Sequence, residues 1–73
     1  MDNKQIATFI KKRRKQLSLT QIELATLSNI STRKLSDIET ANGATTIDIL
    51  NKVCDILGVE IDLNIKSSNK LHD

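Results

Sequence analysis

The sequence predicts a mainly α domain of four helices followed by one β-strand, and three observations carry that prediction. Apolar residues recur at helical spacing over most of the chain, Ser and Thr stand where helix starts need side-chain acceptors, and strict apolar-polar alternation begins after Gly58. Composition narrows the class further. The 73 residues include two Gly, no Pro, one Cys and a single aromatic. A chain this short buries only about 60% of its unfolded surface, so a substrate cleft would compete with the core for the same side chains. A binding module is expected rather than an enzyme.

Helix 1 is expected over about residues 3–17, where Ile6, Phe9, Ile10 and Leu17 fall on one stripe and Lys11, Lys12 and Lys15 point away. Phe9 is assigned to the core. Arg13 and Arg14 lie in or beside the stripe, where an unpaired charge is costly, so one is expected to meet a carboxylate or reach solvent. Helix 2 starts at Gln21: Thr20 is its N-cap, Glu23 completes a capping box, and Leu19 with Leu24 forms the hydrophobic staple. It stops near Leu27, because Ser28-Asn29 breaks the period and Asn tolerates the left-handed conformation.

The same pattern then repeats. Ser31 caps helix 3, Ile30 and Leu35 form its staple, and Leu35 with Ile38 marks its buried side up to about Thr40. Two short helices joined by a turn of about three residues have the length signature of a helix-turn-helix, with small Ala25 where the helices approach. A loop over Thr40–Ala44, containing Gly43, leads to Thr45-Thr46 as caps for helix 4. Ile47, Leu50, Val53, Cys54 and Leu57 form its inner face, and Gly58 is its stop.

From Val59 the period is 2. Val59, Ile61, Leu63 and Ile65 alternate with Glu60, Asp62, Asn64 and Lys66, the pattern of a half-buried strand over 59–66. A solitary strand leaves its backbone N–H and C=O groups unpaired. Pairing with the same strand of a second copy across a two-fold axis satisfies them. The expectation is therefore a homodimer joined by an intermolecular sheet, with one domain over 1–66 and a disordered tail over 67–73.

Charge is unevenly spread. Residues 1–19 carry +5, residues 20–40 carry −1, residues 41–63 carry −3 and the last ten carry +1, for a net +2. Such polarity suits a molecule with one side toward an anionic surface. The lone Cys54 leaves no internal disulfide, and neither a signal-peptide run nor a membrane-length apolar stretch is visible. A cytoplasmic protein without membrane contact is expected.

Thr20-Gln21-Ile22-Glu23-Leu24-Ala25, the turn Asn29-Ile30-Ser31 and Leu35-Ser36-Asp37-Ile38-Glu39 resemble the helix-turn-helix of the lambda repressor and Cro (XRE-type) family of bacterial and phage DNA-binding proteins. The resemblance covers about residues 6–58. Glu39, five loop residues, Thr45-Thr46, an amphipathic helix and a terminal strand are further similar to the Hip-type antitoxins, whose partner is a serine/threonine-kinase toxin. That resemblance implies a homodimeric repressor on a palindromic double-stranded operator, nucleoid-associated when bound, with a single-chain or split kinase as partner.

In this geometry the second helix of the motif enters the major groove, and its first residues face base edges. The base-contact candidates are Ser31, Thr32, Arg33 and Ser36. Arg33 can bridge O6 and N7 of guanine, and Thr32 can offer a hydroxyl or a methyl to thymine. Ser31 is needed as a cap in any case, and Ser36 can serve as a solvated helix residue. Phosphate contacts are assigned to Thr20, Gln21, Lys34 and Thr40. Arg14 and Glu39 stand where the family has a structural ion pair beneath the motif. Two departures are visible: Asn29 replaces a frequent Gly, and the Gly that often follows the Glu is absent.

Other chemistry is sparse. There is no phosphate loop and no Cys or His pair at metal spacing, and the single His72 lies in the tail, so no cofactor, metal or catalytic residue is expected. Cys54 is expected in the core. Two rival readings are a stand-alone phage-like or chromosomal regulator without a toxin, and a protein-interaction adapter that keeps the fold without using DNA.

Overall fold

The computed structural model describes residues 2–61. It contains α1 (Asn3–Gln16), α2 (Gln21–Leu27), α3 (Thr32–Glu39) and α4 (Ile47–Leu57), in the order expected. Each helix begins on a side chain that accepts one of its orphan N–H groups. Asp2 and Gln5 form a reciprocal capping box at α1, and Thr20 and Glu23 form another at α2. Ser31 accepts from the Lys34 N–H at α3, and Thr46 from the Ile49 N–H at α4. Hydrogen bonds from the Thr20 backbone N–H and its hydroxyl hold the exposed Glu23 carboxyl below its ordinary pKa.

The helix ends share one device. After each helix a residue turns left-handed, at Ser18 (φ 58°), Asn29 (φ 58°), Ala41 (φ 56°) and Gly58 (φ 70°). The next N–H then reaches back to a last-turn carbonyl: Leu19 to Arg14, Ile30 to Ala25, Asn42 to Asp37 and Val59 to Cys54, at 2.8–3.1 Å. These are Schellman closures. Asn29 and Gly58 are residues suited to the left-handed region. Ser18 and Ala41 are not, and carry no sequence signal for it.

The core is built from Ile10, Leu24, Ala25, Leu35, Ile38, Leu50, Val53 and Leu57, with Leu19 and Ile30, the staple residues, packed on its margin. α2 packs on α3, α1 spans α3 and α4, and α4 also meets α2. Three apolar assignments need correction. Phe9 (47% exposed), Leu17 (40%) and Ile47 (59%) lie outside the core. The buried line of α1 runs through Ala7, Ile10 and Arg14, which puts Phe9 one step round the helix and Leu17 past its last turn. Ile47 is the first residue of α4 and extends beyond the neighbouring helices' reach. Cys54 is buried as expected, and burial, reinforced by Asp55, raises its thiol pKa.

The strand expected from Val59 is not formed in its described part. Val59, Glu60 and Ile61 are irregular, and Leu63 and Ile65 lie outside the described residues, as does the 67–73 tail. A single chain offers that segment no strand to pair with, so its alternation cannot be expressed within one copy.

Beneath the helix-turn-helix, Arg14 and Glu39 form the expected pair. Nε and Nη2 of Arg14 donate to the two Glu39 carboxylate oxygens at 2.6 and 3.0 Å, and Nη1 donates to the Leu19 carbonyl at 2.8 Å. The Glu39 side chain is 1% exposed and that of Arg14 9%. The hydrogen bonds to Glu39 raise the Arg14 pKa against the opposing effect of burial, and the carboxylate charge adds to the rise. Arg13, beside it, donates from Nε to the Leu57 carbonyl at 2.9 Å, closing the end of α4. Thus both arginines of the apolar stripe are satisfied, one by a carboxylate and one by a helix terminus.

Two stability outcomes follow. Ala41→Gly relieves a left-handed alanine and should raise unfolding free energy by about 1 kcal/mol; a loss in denaturant titration would contradict the strain. Glu39→Ala strands a buried guanidinium and should lower stability by about 3 kcal/mol, whereas the double change Arg14→Met with Glu39→Leu should cost less than that single one.

Candidate nucleic-acid interface

The outward surface of α3 follows from which of its residues face in. Leu35, Ile38 and Glu39 are buried, so the helical period leaves Thr32, Arg33, Ser36, Asp37 and Thr40 on the opposite side. Thr32 and Arg33 are exposed, and Ser36 and Asp37 are half-buried. Ser31, at the head of this face, spends its hydroxyl oxygen on the cap of α3, accepting from the Lys34 N–H at 2.9 Å. Its hydroxyl hydrogen stays available. Thr40 donates its hydroxyl to the Ser36 carbonyl at 2.8 Å, which closes the far end of the face.

Arg33 reaches furthest, its side chain 84% exposed, with Nε 3.5 Å from Oδ1 of Asp37 one turn later. Asp37 is itself held: Asn42 donates to the same Oδ1 at 3.2 Å, and the Asn42 N–H bonds the Asp37 carbonyl at 2.8 Å. Sequence reasoning missed this acidic member of the face, although an Arg and an Asp four residues apart on a helix are a visible signal. Lys34 turns away from α3 and donates Nζ to the Ala44 carbonyl at 3.1 Å, pinning the α3–α4 loop.

At the start of α2, the Gln21 amide donates Nε2 to Oε1 of Glu39 at 3.1 Å. The side chain is thereby fixed, with one N–H and its carbonyl oxygen still unused by that bond. Thr20 uses its oxygen to accept from the Glu23 N–H at 3.0 Å. Gln21 and the ion pair are therefore one connected unit: Arg14 anchors Glu39, and Glu39 anchors Gln21. Neither Gln21's partner nor Arg13's was legible from the sequence, because both depend on residues 18 and 44 positions away.

Along the outer side of α1, Lys11, Lys12 and Lys15 are exposed, and with Thr8, Gln16 and Glu39 they line an open groove. Positive charge is thus spread over a surface whose long, solvated side chains supply attraction at a distance. Among the described residues no group of three or more His, Cys, Asp or Glu could hold a metal ion, and no helix is long and apolar enough to cross a membrane.

Residues 10–64 match the family profile described as Helix-turn-helix. No curated protein matches the chain significantly. Among solved structures, the fold is similar to that of the clp gene regulator ClgR from Corynebacterium glutamicum, with a TM-score of 0.73 at 26% identity over 78% of this chain. This chain spans 61% of that regulator, less than two thirds of its length. With its four helices, its capped α2 and α3 and the profile match over most of its length, the chain belongs to the lambda repressor-like (XRE) helix-turn-helix family of DNA-binding proteins.

Proposed function

We propose that this protein is a sequence-specific double-stranded DNA-binding transcriptional regulator that inserts α3 into the major groove. The observation that carries the reading is the outward face of α3, where Thr32, Arg33 and Ser36 stand on a helix locked from beneath by the Arg14–Glu39 pair. Base readout needs side chains held in register by a rigid support, and that support is present. Ser31, Thr32, Arg33 and Ser36 are the base-contact residues of this reading. Arg33 takes the leading part, since its guanidinium end can meet O6 and N7 of guanine together. Thr20, Gln21 and Thr40 contact phosphates, Thr40 by exchanging the bond its hydroxyl gives to the Ser36 carbonyl. Lys34 does so as well, since its bond to the Ala44 carbonyl uses one of three ammonium donors.

The finer reading is a homodimer on a palindromic operator, with recognition helices about 34 Å apart. Its support is the unspent alternation from Val59 onward, which needs a second strand. The similarity of the Glu39-to-strand layout to Hip-type antitoxins supports an autorepressor whose partner is a serine/threonine-kinase toxin. A kinase-like reading frame beside the gene, and a kinase that copurifies with the protein, are the observations to seek.

Operator affinity should fall steeply with salt, by about 0.9 in logarithmic slope for each phosphate neutralised, and Arg33→Ala should reduce discrimination between operator and random duplex by about 1–3 kcal/mol. Salt-independent or absent DNA binding would leave the adapter reading standing instead. Truncation before Val59 should convert a dimer to a monomer in sedimentation; a dimer that survives it would refute pairing through this segment.

A further inference from the structure

Arg33 does not face solvent alone. Its Nε lies 3.5 Å from Asp37 Oδ1, and Asn42, from the loop after α3, bonds that same oxygen at 3.2 Å. We propose that Asp37 is a positioning residue for base selection, which draws Arg33 in on its Nε side so that its two terminal amino groups are left for a base edge, and offsets its charge until that edge engages it. The inference rests on the DNA-binding reading of α3. A guanidinium whose Nε side faces a carboxylate keeps its far edge free, and that edge matches a pair of acceptors such as O6 and N7 of guanine. A phosphate is met less well, because the carboxylate one turn away repels it. Random duplex is held by charge alone, so the pair weakens random binding more than it weakens the correct site. Asn42 matters because it fixes the carboxylate through a loop whose own N–H bonds back to Asp37 at 2.8 Å.

The test is selection of bound sites from a randomised duplex library by the full chain, followed by titration of the best site and of random duplex at several salt concentrations. Asp37→Asn, which keeps an acceptor for Asn42 and removes the charge, should bind random duplex more tightly, steepen its logarithmic salt slope by about 0.9, and reduce the preference for the selected site about two- to five-fold, the size an exposed ion pair carries. In an Arg33→Ala background the same change should strengthen binding to all duplexes equally and leave the preference unaltered. An Asp37→Asn protein with wild-type preference and salt slope overturns the inference while leaving the DNA-binding reading intact. A wild-type chain that enriches no sequence overturns both.

Discussion

The buried bond between Arg14 and Glu39 is the constraint on which the rest of this small structure depends. A domain of this size has few apolar side chains to hold four helix–helix contacts in place, and the last position of α1's buried line is occupied by a guanidinium rather than a leucine. A buried guanidinium is tolerable only when its donors are matched, and here the carboxylate takes two and the Leu19 carbonyl a third. The consequence is geometric. One planar group simultaneously sets the end of α1, the start of α2 and the end of α3, so the two helices of the motif inherit a fixed relation that apolar packing alone specifies less sharply.

That relation reaches the surface through short bonds. Glu39 also receives the Gln21 amide, so a residue at the front of α2 is aimed by the same carboxylate that locks α3. Rigid presentation is reinforced by the chain's economy at its turns. Four left-handed residues close the helices with backbone bonds and leave little free loop between them. Ala41 and Ser18 adopt this conformation without glycine's freedom, a local cost of order 1 kcal/mol each that the closed turn and the adjoining packing must offset.

On the outer face, the balance of charge differs from what the basic first helix suggests. Lysines on α1 are exposed and make no hydrogen bond among the described residues, an arrangement suited to long-range attraction. The cations of α3 are both engaged, Arg33 with Asp37 and Lys34 with Ala44. On the proposed reading, attraction and base contact are thus divided between two helices: α1 carries solvated positive charge, while on α3 the charge of Arg33 is balanced by Asp37.

The sequence by itself determined the local grammar. Thr20 with Glu23, Ser31, Thr46, Asn29 and Gly58 announce helix boundaries because capping and left-handed propensity act within a few residues. Buried positions such as Leu24, Leu35, Leu50 and Leu57 were equally legible, since period alone assigns them. Phe9 and Ile47 were not, because period gives a face while burial depends on whether another helix arrives there. The Arg14–Glu39 pair was legible only through family resemblance, and its extension to Gln21 and the Arg13 bond to α4 were decided by the tertiary structure. Those contacts join residues from different elements, and no local rule encodes the three-dimensional path that brings them together.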